Sequence, residues 1–150
     1  MGRAVKPYLD AGFLLSLLGR RPGSAKANDL ARRFPAPFRL TWLHAAQIEW
    51  GLRAGLKSPD SHRSAWAKEA LNTWQRWTLE SVLRVEDSDW PASFVRAVEL
   101  SRVCPARSLF LLLHPALAGR NEFTHFLSFD PQARAAALVE GLRLLPASLD

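Results

Sequence analysis

The sequence predicts an α/β protein built on a parallel sheet flanked by helices, and three observations carry that expectation. Short apolar, strand-like runs alternate with helical runs along the whole chain. With 150 residues, 48% of them hydrophobic, the chain is long enough to bury a real core as one domain, residues 1–150. Two of the strand-like runs end in an acid, Asp10 and Asp130, each followed at once by a helical pattern. In an open parallel sheet such positions converge at the carboxyl edge, where α/β proteins place their chemistry.

Each element follows from local signals. Residues 4–9 read as a short strand, with Pro7 near its start or at an unpaired position. Residues 12–18 form a helix that stops at Gly19, and residues 24–34 a second one, with Ser24 as N-cap and Pro35 and Pro37 ending it. Residues 38–41 are a brief strand. Trp42–Leu56 is the clearest amphipathic helix: Trp42, Ala45, Ala46, Glu49, Leu52 and Leu56 recur at spacings of three and four. Glu49 is therefore expected within an apolar stripe, where a carboxylate has to be paired, protonated or bound to a cation.

A long helix over residues 61–81 follows Pro59-Asp60, with Trp66, Ala70, Trp74 and Trp77 along one side, either as core or as a partner-binding ridge. Residues 82–85 form a strand, after which Asp87 or Ser88 caps a helix over residues 90–103. The segment SLFLLLHPALA has to be buried on most sides, and Pro115 should kink or shorten its helix. Residues 123–129 are the next strand. Asp130-Pro131 is a strong helix start for residues 132–140, Gly141 ends that helix, and residues 142–145 supply a final strand.

Composition narrows the function classes. A Gly-rich phosphate loop, a G-x-S-x-G elbow and zinc-ligand spacings are all missing from the sequence. The single cysteine, Cys104, excludes an intrachain disulfide and reads as a structural thiol in a reducing cytoplasm. The start MGRAVKP with FLLSLL and SAKA imitates a secretion signal, but Asp10 interrupts the apolar stretch and Gly19-Arg20-Arg21 separates it from SAKA. No run approaches the roughly 20 apolar residues of a membrane span, so no membrane partner is expected.

Net charge is +6, and residues 1–84 carry 14 Lys/Arg against 6 Asp/Glu, whereas residues 85–150 carry 6 against 8. A basic half of this kind attracts phosphate backbones through counterion release, without specifying a base sequence. The candidate nucleic-acid contacts are Arg20, Arg21, Arg39, Arg53 and Lys57. Asp10, Glu49 and Asp130 supply the oxygen ligands that hard cations prefer. One or two such ions, roughly 3.5 to 4 Å apart when paired, activate water for in-line attack on a phosphodiester.

These residues resemble a family. Tyr8-Leu9-Asp10 before an apolar helix, Glu49 within HAAQIEWGLR, and the ending FLSFDPQARAAALVEGLRLL are similar to PIN domains, and among them to the small VapC-type toxins, over nearly the whole chain. The resemblance implies a three-layer α/β/α sandwich with a central parallel sheet. It implies a Mg²⁺- or Mn²⁺-dependent endoribonuclease, a toxin that forms a homodimer and meets a small antitoxin protein. By position Asp10, Glu49 and Asp130 match the catalytic metal-binding acids, and Ser128 the hydroxyl residue two before the last acid.

Two departures define the alternative. Family members usually carry a further Asp in the helix before the last acid's strand, and here Arg107 and His114 are in place while Phe110 or Leu111 stands at the acid's position. Ala11-Gly12 also replaces hydroxyl residues that would orient the first acid. Asp87 or Asp89 is the better-placed substitute, since Asn121 and Glu122 precede their strand. His114, on an apolar helix, reads as a hydrogen-bonded core residue before a ligand. The alternative is a degenerate PIN-like domain that binds RNA or a protein partner with weak or no cleavage.

Overall fold

The structure, a computed structural model, describes residues 2–150; Met1, the first residue of the span expected as one domain, lies outside them. In chain order the elements are β1 (Pro7–Leu9), α1 (Ala11–Leu18), α2 (Ser24–Ala31), β2 (Phe38–Leu40), α3 (Trp42–Leu56), α4 (Ser61–Leu79), β3 (Leu83–Val85), α5 (Trp90–Ser101), α6 (Phe110–Arg120), β4 (His125–Leu127), α7 (Pro131–Val139) and β5 (Arg143–Leu145). The protein is α/β, and every strand pairing among the described residues is parallel: β1-β4-β5 in one sheet and β2-β3 in another. The chain divides into two compact units, Met1–Asp10 with Asp87–Asp150, and Ala11–Glu86.

In the first unit β4 lies between β1 and β5, with Leu9 opposite Leu127 and Leu127 opposite Leu145. The ladder runs one step past the strands, because Asp10 N–H donates to the Leu127 carbonyl and Ser128 N–H to the Leu145 carbonyl, each at 3.1 Å. Tyr8, Leu9, Phe126 and Leu127 are buried, as strands covered on both faces require. Tyr8 stacks on its register partner Phe126 with ring centroids 5.5 Å apart, and Phe123 meets its edge at 5.0 Å. Helix α6 is buried at every residue from Leu112 to Ala118, and it continues through Pro115 instead of stopping there. It starts at Phe110, two residues inside the apolar segment SLFLLLHPALA that begins at Ser108.

The caps explain the helix bounds. Asp89, not Asp87 or Ser88, caps α5 by accepting from Ala92 N–H at 3.1 Å. Asp130 caps α7, with Oδ1 accepting from the N–H groups of Gln132 (2.8 Å) and Ala133 (3.0 Å), and Pro131 occupies the first turn, where its missing donor costs nothing. Gly141, at φ +77°, ends α7 while Leu142 N–H reaches back to the Ala137 carbonyl.

In the second unit α2 is shorter than expected. It ends at Ala31, where Arg33 and Phe34 bond back three residues to Leu30 and Ala31 in a tightened turn. The N-cap is Gly23 rather than Ser24, whose hydroxyl instead accepts from Arg21 N–H and donates to the Gly19 carbonyl, each at 3.0 Å. Thr41, expected as the last residue of a strand, caps α3: its N–H donates to His44 Nδ1 and its Oγ1 lies by the same nitrogen, both at 3.0 Å. The buried face of α3 is accordingly His44, Ile48, Leu52 and Gly55. Gly55 lets α4 approach, since a Cβ there would sit 2.9 Å from the Cβ of Ala67.

Candidate functional site

Asp10 and Asp130 both follow the carboxyl ends of neighbouring strands of the first unit's sheet, β1 and β4. Asp10 follows β1 and is buried; Ser128 follows β4, opposite Asp10 in register, and is fully buried. The Ser128 hydroxyl accepts from Asp130 N–H at 3.0 Å, which fixes the start of α7. Arg107, 23 residues upstream, places Nη2 against Oδ2 of Asp130, and its own N–H donates to Gln132 Oε1 at 2.9 Å. Asp130 is thus engaged on both oxygens, one by the helix cap and one by a guanidinium. Burial acts to raise its carboxyl, yet the Ala133 N–H, the Arg107 guanidinium and the Gln132 N–H outweigh that and hold it below the ordinary aspartate value. Beneath it the buried Arg134 donates to the Ser128 carbonyl at 3.0 Å, and desolvation lowers its own pKa.

Glu49 departs from its expected setting. It lies on the exposed side of α3, its side chain 48% exposed, where Oε1 accepts from Trp74 Nε1 at 3.1 Å and Oε2 faces Arg53 at 3.9 Å. The apolar stripe drawn through Trp42, Ala46 and Glu49 is displaced because the capping His44 turns inward and takes Ile48 and Leu52 with it. Gln47 holds a half-buried position while Glu49 does not. Asp10 and Asp130 belong to one unit and Glu49 to the other. Among the described residues there is no group of three or more His, Cys, Asp or Glu side chains arranged to hold a metal ion. Oδ1 of Asp130 takes both cap donors and Oδ2 takes the Arg107 guanidinium, so a hard cation at this carboxylate would compete with Arg107 for Oδ2.

At the position of the further acid, Phe110 opens α6 and is half exposed, and Leu111 follows it half-buried. His114 is buried in the core with Nδ1 2.6 Å from the Tyr8 hydroxyl. Cys104 is a buried free thiol. Asp87 is exposed, and Asp89 is spent on its cap.

The candidate RNA contacts all fall in the second unit, and Arg20, Arg21, Arg39, Arg53 and Lys57 are all exposed. Arg39 sits opposite Arg84 across the β2-β3 pair, and both are exposed. Glu86 lies 3.7 Å from Arg39 and offsets part of that charge. The tryptophan ridge on α4 is not a free surface: Trp74 is buried, Trp66 and Trp77 are half-buried, and the Arg21 guanidinium lies over the Trp66 ring at 5.5 Å. The exposed tryptophans are instead Trp42 and Trp50 of α3, 57% and 77% exposed. Hydrophobic periodicity counted Trp42 as core and passed over Trp50. Arg134 was equally invisible, since nothing in QARAAAL marks an arginine as buried. Among the described residues no helix is long and apolar enough to cross a membrane. Comparison with family models, with curated proteins and with solved structures returns no match.

Proposed function

We propose that this protein is a PIN-like RNA-binding protein whose acidic strand end has structural work, gripping RNA through residues 11–86 without cutting it. One observation carries the reading. The entire net charge of +6 belongs to the second unit, in which 12 Lys/Arg stand against 6 Asp/Glu, while the first unit balances 8 against 8. A single basic body of this kind is the electrostatic footprint of phosphate binding. The commitments of Asp130 to Arg107 and of Glu49 to Trp74 and Arg53 support the non-cleaving half of the reading. The test is fluorescence anisotropy with labelled RNA over a salt series. Expected is binding whose log–log salt slope, about −0.7 per phosphate contacted on a single strand, corresponds to several contacts. Absence of binding at low salt, or binding insensitive to salt, rejects the proposal.

A second reading is favoured by the burial of Asp10 beside Ser128 at the sheet's carboxyl edge. It is the metal-dependent endoribonuclease, with Asp10, Glu49 and Asp130 as the acids and Mg²⁺ or Mn²⁺ as the ion. In that case the protein is a cytoplasmic toxin acting as a homodimer against RNA and restrained by an antitoxin. Incubation of RNA with the protein and Mn²⁺ separates the two. Cleavage that disappears in Asp10→Asn establishes the second reading, whereas intact RNA under conditions that saturate binding supports the first.

A further inference from the structure

Trp50 is 77% exposed, an unusual setting for the residue with the largest apolar surface to lose. Its surroundings on α3 are as informative as its exposure. Trp42, Ala46, Trp50 and Ala54 form one row at four-residue spacing along the helix, and all four are exposed. The row therefore alternates indole with methyl, so Trp50 has a small residue on either side along the row, Ala46 and Ala54, and a planar group can lie against its face. The two tryptophans are about 12 Å apart along the axis. Beside them Gly51 adds no bulk, as a Cβ there would meet nothing within 4 Å. Arg53 and Lys57, three and seven residues beyond Trp50, bring two exposed cations to the same side. Glu49 is the acid on this face, and it is tied to Trp74 and Arg53.

We propose that the outer face of α3 is a stacking platform for single-stranded RNA, with bases laid on Trp50 and Trp42 and the backbone held by Arg53 and Lys57. The proposal rests on the RNA-binding reading and names the form of RNA it takes. An open aromatic face accepts any unpaired base, whereas paired bases are already stacked on one another, so the platform selects single strands without selecting sequence. Charge decides between RNA and a protein partner. Exposed tryptophan alone serves either, but the unit that presents it carries the whole +6.

The test uses the full chain and a short unpaired, fluorescein-labelled oligoribonucleotide, beside a duplex of the same sequence. Expected is tighter binding of the single strand, with quenching of tryptophan fluorescence. Trp50→Ala should weaken it roughly tenfold to a hundredfold with an unchanged salt slope, and Trp50→Phe should restore most of the loss. Arg53→Gln and Lys57→Gln should each make the slope shallower by about 0.7. Trp50 is too exposed for its replacement to threaten the fold, and circular dichroism of each variant verifies this. If wild type binds the single strand but Trp50→Ala and Trp42→Ala bind it equally well, or if the duplex binds as tightly, the platform is rejected while RNA binding stands. If wild type binds no RNA, or a polyglutamate peptide in its place, both fall.

Discussion

The Arg107 guanidinium closes on the Asp130 carboxylate, Nη2 to Oδ2 at 2.5 Å, while the other carboxylate oxygen caps α7. This one relationship, together with the cap, gives Asp130 a structural role that ties the start of α7 to Arg107. Its pH signature follows from the lowered pKa of Asp130. A carboxyl whose folded value lies below its unfolded value, about 3.9, takes up its proton first in the unfolded chain. The stabilisation is complete above that unfolded value and is lost as pH falls through the folded one. Urea midpoints measured from pH 7 downward should therefore drop in acid, and Asp130→Asn, which keeps a capping oxygen, should remove that part of the drop. Asp130→Ala loses the cap as well and should cost about 1 kcal/mol or more at pH 7.

Two glycines of one helix should respond with opposite signs. Alanine is favoured over glycine by about 0.8–1.0 kcal/mol in a helix interior. At Gly51 a new Cβ meets open space, so Gly51→Ala should raise stability by roughly that amount. At Gly55, one residue from the end of α3, the Cβ would press to 2.9 Å on the Ala67 methyl, which cannot swing aside. Overpacking of about 1–3 kcal/mol outweighs the propensity gain, and Gly55→Ala should destabilise. Thermal melts of the two variants side by side check the pair, and equal shifts would contradict the α3–α4 contact.

Three helices end in the same way, and only one of them with glycine. Val82 N–H bonds to the Trp77 carbonyl, Phe123 to Ala118 and Leu142 to Ala137, closing α4, α6 and α7. The left-handed residues are Ser81 at φ 58°, Glu122 at φ 63° and Gly141 at φ 77°. A side chain in that region costs about 1–2 kcal/mol, part of which glycine returns through its freer unfolded chain. Ser81→Gly and Glu122→Gly should each stabilise by about 0.5–1 kcal/mol, and Gly141→Ala should destabilise by a similar amount. Denaturant midpoints at constant m-value give the measurement.

The punctuation of the chain made its elements legible. Trp42–Leu56 was bounded correctly by hydropathy and by the Pro59-Asp60 turn, and Asp130-Pro131 announced α7 through residues whose preferences are purely local. The face of α3 was not legible. His44 scores as polar, yet it is drawn inward by the Thr41 backbone, and that contact decides which of Glu49, Gln47 and Trp50 meets solvent. The basic side was readable because charge is additive along a sequence. The Arg107–Asp130 pair was not, since it spans 23 residues and depends on where α6 and α7 lie. Asp10 was correctly placed at a strand end, because a short apolar run followed by a helix leaves its first polar residue at the sheet's carboxyl edge.

Arg96 joins α5 to the end of α7 through a nearly buried acid. Its Nε donates to Glu140 Oε1 at 2.6 Å, and its Nη1 to Glu99 Oε2 at 2.8 Å. Its hydrogen bonds to Glu99 and Glu140 favour the charged guanidinium and raise its pKa. The two acids are not equivalent, because the Glu140 side chain is 7% exposed and that of Glu99 43%. Removing the cation with Arg96→Met strands Glu140 away from water, and a hydrogen bond to a charged group is worth about 1.5–3 kcal/mol, so a loss of that size is expected. Glu99→Gln should cost a few tenths of a kcal/mol at most, since water screens an exposed partner. Gly119 completes the arrangement: a Cβ there would lie 2.6 Å from Glu140 Oε2 and 3.3 Å from its Cβ, so Gly119→Ala presses on the carboxylate whose other oxygen Arg96 holds. Gly119→Ala should therefore destabilise the wild-type background and turn neutral or stabilising once Arg96→Met and Glu140→Ala have removed both partners. A double-mutant cycle in urea reads this coupling directly, and additive effects would show that Gly119 and Glu140 do not meet.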